Sequence, residues 1–552
     1  MNISSLKFPE KRLIFAWLAG IPLSYFALAF LDVFYTSFFG IILLTVIVHV
    51  PASLFMAYLF GRLQRAFKTK SVDAGIALVL FAALMIFLIH LTSLLGRFPL
   101  FFDSALLRLT PDLFIWFAIG AVLSLPVFLW LHARRQELHS TRLYAFVETH
   151  LGGILLAAIF FYVYFLIANA VNQPLFDFDD VFFDTDAKLW RQRFGTELYK
   201  DYYERTVHPF VLIVVRPWAG LIALFLKGNL LPASFVLIAL TGALCVFLVW
   251  YFVKKVVGGS TYALLIAALF GASASQLVFG SLLETYGFLG ATALIFVVLV
   301  LKDAPLWTYV VTGLAAFGIT VSNAAQTAIV HLFVKRDFWQ LVKYGLISAA
   351  LIVPLSLLNN FVYPDAHPYL WDFSTMKWEE KNVFEPTLQR ANYLGRVMVL
   401  HSFVAPQPVL FKEDIPFIKI WMFRAALKKV PLRIAQYEDP FSTFVVAVWA
   451  GLIVLGGVLF LKNLFRRDNR FSFAFLVTLI FYFVLHMRYG RDVFLYSSNW
   501  TYAILLTLAL AWQELSAKRW FQLGLLAFLC LLLVNNSKLI STMLAVSSLH
   551  IR

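Results

Sequence analysis

The side chains best suited to chemistry lie in one acidic segment, residues 173–207, of a chain that is otherwise mostly apolar. Its carboxylates are Asp177, Asp179, Asp180, Asp184, Asp186, Glu197, Asp201 and Glu204. A carboxylate near hydrocarbon is costly unless it binds a cation, a proton or a substrate. Because one hydrophobic span precedes the segment and another apolar run follows it, we expect a reactive site here.

The spacing of these acids indicates general-base chemistry and cation binding. A single residue separates Asp184 from Asp186, and a single residue also separates Asp177 from Asp179. In such pairs one carboxylate can act as a base while others hold a divalent cation, Mg²⁺ or Mn²⁺, or a second substrate. The alternative is a solvated loop whose acids pair with its bases: Lys188, Arg191, Arg193, Lys200 and Arg205. The position against the bilayer favours the functional interpretation.

Other candidate residues lie far along the chain. Glu284 opens a span, where it could bind substrate or simply be stabilised by the helix dipole. Arg488 and Arg491 flank a turn close to Tyr496, and arginine suits phosphate, although interface anchoring explains both residues as well. The basic residues of segment 415–437 predict a helix lying in the membrane interface. They could hold a lipid phosphate or extend to the lipid headgroups.

The composition defines the kind of protein that must position these residues. The chain has 552 residues, of which 61% are hydrophobic and 14% charged, whereas soluble domains contain about 25% charged residues. This predicts an all-α polytopic membrane protein. The net charge of +15 comes from short basic runs between apolar segments, a pattern that encodes membrane orientation and gives no reason to expect nucleic acid binding. Cys245 and Cys530 fall in apolar spans and suggest no disulfide framework.

The apolar runs predict about 15 membrane spans of about 20 residues each. Residues 1–150 form a predicted accessory module of about four helices, and residues 151–362 a transmembrane core that contains the acidic segment. Residues 363–440 form a loop domain on the outer face, and residues 441–552 the last transmembrane helices. The run 306–334 is too long for one helix, so the polar pair Ser322-Asn323 predicts a break between two short ones.

The positive-inside rule orients the spans. With the N-terminal bases in the cytoplasm, the later basic clusters fall there too, provided that residues 209–226 do not cross. Pro209, Pro217 and Arg216 make that run a predicted juxtamembrane or re-entrant helix. The clusters placed inside are at residues 62–70, 134–142, 254–255, 302, 335–343, 462–467 and 518–519. The acidic segment, Glu284, residues 363–440 and the turn at 488–496 then lie outside.

The order of several short motifs resembles that of the GT-C superfamily of membrane glycosyltransferases, over roughly residues 151–534. A first outer loop carries Phe-Asp-Thr-Asp at residues 183–186, followed by Arg-Thr-Val-His-Pro at residues 205–209 and a proline-broken apolar segment. The next span ends in Lys254-Lys255, and Glu-Thr-Tyr follows at residues 284–286. Late in the chain, Phe-Leu-Tyr-Ser at residues 494–497 enters a span.

This resemblance implies a core of about 11 transmembrane helices with juxtamembrane helices on the outer face. The chain resembles bacterial enzymes that take a sugar from a polyprenyl-phosphate donor, such as the aminoarabinose-transferase/protein-mannosyltransferase-like and lipopolysaccharide galacturonosyltransferase-like families. The acceptor would be a glycan, a glycolipid or a protein. In those enzymes an Asp of the first outer loop is the catalytic base, which by position in the motif is Asp186, with Asp184 next. The surplus acids Asp179 and Asp180 depart from the pattern and become predicted substrate ligands.

Physical reasoning agrees with that chemistry. An inverting transfer needs one carboxylate to deprotonate the acceptor hydroxyl, and a cation or a basic side chain to stabilise the departing phosphate. Arg205 and His208 end the acidic segment and could serve the phosphate, although His208 before a proline could also be a helix-start residue without a role. We therefore expect an enzyme of the cytoplasmic (inner) membrane with its active site on the periplasmic, outer face.

Two other classes of protein remain as alternatives. A lipid or glycolipid flippase would carry its acids at mid-membrane on broken helices in a repeated arrangement, which this sequence does not have. The second alternative is a non-catalytic assembly or scaffold subunit. In that case, alanine replacements throughout the acidic segment would leave activity intact.

Overall fold

The described part of the chain is mainly helical. A computed structural model describes residues 11–134, 137, 140–175, 181–197, 207–364, 371, 373–412, 418–426 and 431–549. The chain divides into two compact units, Met1–Val79 with Phe102–Leu151, and Leu80–Phe101 with Gly152–Arg552. The smaller unit therefore ends close to the predicted limit of the accessory module, although residues 80–101 belong to the larger unit.

The smaller unit contains helices α1 (Lys11–Leu31), α2 (Phe38–Thr69) and α4 (Phe114–Ala133). α3 (Ser71–Leu95) joins the two units. Close crossings use small residues, as in other membrane bundles. A Cβ atom on Gly20 would lie 3.0 Å from Ser53 Oγ, and one on Gly120 would lie 2.7 Å from Thr45 Cβ. These glycines let α2 approach both of its neighbours.

The larger unit is built mainly from long apolar helices, with short helices between them. After α5 (Arg142–Val171) they are α6 (Ala187–Gly195), α7 (Val211–Leu224), α8 (Leu230–Val257), α9 (Ser260–Ala272), α10 (Ala274–Phe279), α11 (Thr285–Leu301), α12 (Leu306–Ile319), α13 (Asn323–Lys335), α14 (Phe338–Val362), α15 (Leu388–Arg396), α16 (Pro440–Lys462), α17 (Arg470–His486), α18 (Thr501–Ala511) and α19 (Arg519–Ser548). A 3₁₀ helix, Val493–Asn499, precedes α18. The predicted break at Ser322-Asn323 is confirmed, because α12 ends at Ile319 and α13 begins at Asn323.

Within the described residues, nine helices are long and apolar enough to cross a membrane, and one bent pair could form a tenth span. Five further apolar helices have 10–17 residues, α7 among them. This agrees with a helical multi-pass membrane protein. A helix of 14 residues is only about 21 Å long, shorter than the hydrocarbon layer of about 30 Å. α7 therefore has the length expected of a segment that does not cross, and the total of about 15 spans stays a prediction.

Segment 415–437 corrects the sequence analysis, because its described residues form strands and not an interfacial helix. β1 (Val409–Lys412) pairs antiparallel with β2 (Ile418–Trp421), and β3 (Phe423–Arg424) with β4 (Arg433–Ile434). β2 reads Ile-Lys-Ile-Trp, and its β-branched isoleucines and its tryptophan favour extended backbone. Pro416 and Pro431 also oppose a continuous helix.

Helices α11 and α17 each run from one end of the larger unit to the other. α11 begins beside Glu284 and ends at Leu301, and α17 runs from Arg470 to His486. Leu301 and Arg470 line one cavity. At the other end, Tyr286 and His486 both contact the Tyr496 ring. Because each helix has 17 residues, the two ends lie about 25 Å apart.

Candidate functional site

The described part of the acidic loop is held by β2. Ile420 donates from its backbone N–H to the Val181 carbonyl at 2.9 Å, and its own carbonyl accepts from Phe183 N–H at 2.7 Å. The next turn is strained, since Phe183 and Asp184 have φ angles of 55° and 64°. The left-handed region costs an ordinary side chain about 1–2 kcal/mol. Strain of this kind concentrates at functional sites, where the surrounding structure enforces it.

Asp184 is buried and paired with Arg491, which lies 307 positions further along the chain. Arg491 Nη2 lies 2.5 Å from Asp184 Oδ1, and Arg491 Nε donates to Oδ2 at 3.2 Å. These two contacts bring the Arg491 guanidinium against both oxygens of the Asp184 carboxylate, so the ion pair occupies this side chain. Asp184 is therefore suited to positioning, and less suited to accepting a proton from a substrate.

Asp186 has a different environment from Asp184. It is half-buried and occupies the N-cap position of α6, but its side chain makes no capping hydrogen bond. Its charge interacts electrostatically with two tyrosines, Tyr286 and Tyr496. Asp186 is therefore the partly accessible carboxylate of the pair, as a general base must be.

Aromatic rings from three elements meet beside these carboxylates. The Tyr286 ring, at the start of α11, packs edge-on against Tyr496 at 5.1 Å between centroids. His486, the last residue of α17, lies 4.3 Å from Tyr496, and Tyr489 lies 5.9 Å from it. Apolar rings with a few polar groups are the usual lining of a small-molecule site.

Two further carboxylates complete the cluster. Glu284 is 1% exposed and precedes α11, and it interacts electrostatically with Tyr286. Glu379 accepts from the Tyr489 hydroxyl at 2.7 Å and interacts electrostatically with both Tyr286 and Tyr496. We call Asp184, Asp186, Glu284 and Glu379, with Tyr286, Tyr489, Tyr496 and Arg491, the acid–tyrosine cluster.

The turn between α17 and the following 3₁₀ helix is fixed by the buried side chain of Arg390. The guanidinium donates to the carbonyls of His486, Tyr489 and Gly490 at 2.9–3.2 Å. Burial lowers the pKa of Arg390 to about 10, opposed by the charge interaction with Tyr496. Since these three carbonyls bracket the turn, Arg390 determines where Arg491 projects.

Asp492 fixes the same turn from the other side. Its carboxylate accepts from the backbone N–H groups of Met422, Phe423 and Phe494 at 2.8–3.1 Å. Complete burial raises the pKa of Asp492 to about 7, although the three N–H donors favour the charged form. Asp492 thus joins Met422, which lies between β2 and β3, and Phe423 of β3 to the 3₁₀ helix. Arg491 lies between Asp492 and Gly490, whose carbonyl Arg390 binds.

His208 is anchored to α12. Its Nδ1 lies 2.5 Å from the Ile319 carbonyl, so that nitrogen carries the proton and donates. The ring packs edge-on against Trp190 at 5.2 Å. Trp190 lies one helical turn after Asp186, whose carbonyl accepts from Trp190 N–H at 3.0 Å. This contact connects His208 to the acidic loop through α6, and a role in binding phosphate stays a prediction.

The described residues do not form a cation site from Asp184 and Asp186 alone. Both oxygens of Asp184 face Arg491. Over the described ranges, no group of three or more His, Cys, Asp or Glu side chains could hold a metal ion. The divalent cation stays a prediction, and we derive no catalytic step through it.

The fold brings together most of the sequence-predicted residues that it describes. Asp184, Asp186, Glu284, Arg491 and Tyr496 belong to the acid–tyrosine cluster. Arg488 lies on the same turn with an exposed side chain. Three predicted substrate ligands, Asp179, Asp180 and Arg205, lie outside the described residues.

Sequence reasoning missed four residues of this site, namely Glu379, Arg390, Tyr489 and Asp492. Glu379 and Arg390 sit in a polar, mixed-charge segment in which nothing distinguishes them. Tyr489 and Asp492 had a usable signal, because they flank the two arginines in the sequence Arg-Tyr-Gly-Arg-Asp at residues 488–492.

Comparison with known proteins adds no assignment. No family model, curated protein or solved structure matches the chain. The apolar helices define a multi-pass membrane protein, and any more specific function depends on the chemistry of the acid–tyrosine cluster.

Proposed function

We propose that the protein is a membrane glycosyltransferase that transfers a sugar from a polyprenyl-phosphate donor to an acceptor hydroxyl, on the outer face of the cytoplasmic membrane. The observation that carries this proposal is the acid–tyrosine cluster at one end of the apolar helices. Four carboxylates, three tyrosines and an arginine meet there, and these are the kinds of side chain that an inverting transfer from a lipid phosphate needs. The order of motifs shared with GT-C enzymes supports the same chemistry.

The proposed reaction gives each group a separate task. Asp186 accepts the proton of the acceptor hydroxyl, whose oxygen then attacks the anomeric carbon of the sugar. The bond from that carbon to the phosphate oxygen breaks, and polyprenyl phosphate leaves with the electron pair. This single displacement inverts the anomeric centre, as in other inverting transfers with one base.

The arginines of the turn at residues 488–492 bind the phosphate in this proposal. Arg488 is exposed and three positions before Arg491, so it is the better ligand for the departing phosphate. Arg491 is committed to Asp184 but keeps 23% of its side chain exposed. Tyr286, Tyr496 and Glu284 are buried and form the wall behind Asp186. Glu379, which is half-buried, can accept a hydrogen bond from a sugar hydroxyl.

The test is transfer of a labelled sugar from a polyprenyl-phosphate donor by the purified protein. Asp186→Asn should lower turnover by about 10²–10⁴-fold, the usual contribution of a general base. The fold should survive, because asparagine keeps the shape of aspartate and the Asp186 side chain makes no capping hydrogen bond that could be lost. Glu385→Gln is the control, since Glu385 is an exposed carboxylate on the same segment as Glu379, and it should leave turnover unchanged.

Near-normal turnover in Asp186→Asn would remove Asp186 as the base and direct attention to Asp184 or Asp180. Absence of transfer by the wild-type protein, combined with movement of the donor lipid across vesicle membranes, would favour the flippase alternative.

A further inference from the structure

A cavity of about 680 Å³ lies at the end of the larger unit opposite the acid–tyrosine cluster. Three cations line it. Lys255 lies just before the end of α8, Arg467 lies in the connection before α17, and Arg470 is the first residue of α17. Val256, Leu301 and Phe471 supply an apolar wall. Gln513, between α18 and α19, completes the lining, so four different connections between helices contribute to one basic pocket.

The acids near the cavity only partly neutralise its cations. Arg470 Nη2 lies 2.6 Å from Asp468 Oδ2. Arg467 Nη2 lies 3.4 Å from Glu514 Oε1, but Glu514 is shared with Lys462, whose Nζ lies 3.0 Å from Oε2.

Lys255 is exposed and has no ion-pair partner within the described parts of the chain. Three lining cations thus face one lining carboxylate, Asp468. Glu514 and Lys462, which lie outside the lining, offset each other, so an excess of two positive charges is left. An excess of this size matches a phosphate group, which carries one charge as a diester and up to two as a monoester.

We propose that this cavity binds a phosphate group, either the headgroup of an anionic membrane lipid or free phosphate. Guanidinium groups suit phosphate oxygens, and the apolar wall suits the adjoining glycerol and acyl carbons of a lipid. Basic pockets between transmembrane helices are recognised binding places for anionic headgroups. The cavity is about 25 Å from the acid–tyrosine cluster, so the proposal does not depend on glycosyl transfer.

The experiment uses the full chain, purified and delipidated in a neutral detergent. Native mass spectrometry titrates phosphatidylglycerol in one arm and inorganic phosphate in the other, with phosphatidylcholine as the neutral lipid. The variants are Lys255→Gln, Arg467→Gln and the pair together. Arg466→Gln is the matched control, because Arg466 is an exposed arginine next to Arg467 that does not line the cavity.

Each charge removed from the cavity should weaken binding about fivefold, as expected for one basic residue at an anionic surface. Arg466→Gln should bind like the wild type. If phosphatidylglycerol alone shows this dependence, the ligand is a lipid headgroup, and if inorganic phosphate shows it too, free phosphate suffices. Lys255→Gln breaks no ion pair and keeps the test valid should Arg467→Gln fail to fold. Equal binding by Lys255→Gln, Arg466→Gln and the wild type would overturn the proposal.

Discussion

At the scale of single residues, the two aspartates of the Asp-x-Asp pair have different environments, although only one residue separates them. Asp184 is buried and ion-paired, with its backbone in a strained conformation. Asp186 is half-buried, and its side chain makes no capping hydrogen bond to α6. Two carboxylates whose surroundings differ in this way are suited to different tasks. This contrast favours Asp186 as the base and makes Asp184 a positioning residue.

The buried pair gives a prediction about stability. Asp184→Asn leaves Arg491 without its carboxylate, so the free energy of unfolding should fall by roughly 3 kcal/mol, the low end for a buried pair since Arg491 is partly exposed. Glu148→Gln is the control, because the Arg62–Glu148 pair leaves both side chains 40% exposed and should cost less than about 1 kcal/mol. Denaturant titration in detergent measures both, and equal small losses would mean that the Asp184–Arg491 contact does not stabilise the fold.

At the scale of elements, the turn at residues 487–492 positions the arginines, and a glycine makes its geometry possible. Gly490 has a φ angle of 99°, and a Cβ atom there would lie 2.6 Å from Tyr496 Cε2. Glycine is therefore required for the backbone conformation and also for the close approach of the Tyr496 ring.

Gly490→Ala should destabilise the protein by more than about 1 kcal/mol, because it combines an unfavourable φ with a steric clash. It should also lower turnover, since Tyr496 must move. Gly457→Ala in α16 is the control, because nothing lies within 4 Å of its added Cβ and alanine favours a helix by up to about 1 kcal/mol. Thermal unfolding and transfer assays on both variants check this. Equal tolerance of the two would show that the turn adapts without Gly490.

At the scale of the whole chain, the basic cavity and the acid–tyrosine cluster occupy opposite ends of the larger unit. This arrangement is what the positive-inside rule requires if the basic clusters face the cytoplasm. Exposed positions at the two ends can test it. Leu388 begins α15, whose Arg390 binds the turn of the cluster, and Phe465 precedes α17 at the basic end.

Single cysteines at these positions should react differently with an impermeant thiol reagent added to intact cells. Leu388→Cys should be labelled and Phe465→Cys should not, although both side chains are highly exposed, at 88% and 97%. Cys245 and Cys530 are first replaced by alanine, because Cys530 is itself exposed. Permeabilised cells, in which both variants should react, are the control. Labelling of Phe465→Cys alone would reverse the orientation.

The sequence by itself determined the class of protein and several local features. Its hydrophobic content predicted a helical membrane protein, and the polar pair Ser322-Asn323 correctly predicted a helix break, because such signals depend on neighbouring residues only. It also identified the types of side chain that meet in the acid–tyrosine cluster, since ionisable groups are conspicuous in apolar surroundings.

Only the tertiary structure decided how those side chains are paired and which of them remain accessible. Asp184 and Arg491 are 307 positions apart, and no local pattern relates them. The mixture of apolar and basic residues in segment 415–437 wrongly predicted a helix, because β2 is stabilised by backbone hydrogen bonds to residues 181–183, which no local pattern shows. Arg390 binds backbone carbonyl groups, and Asp492 binds backbone N–H groups. Almost every residue carries such groups, so the sequence does not indicate which of them these side chains bind. Their roles therefore become visible only when the chain is folded.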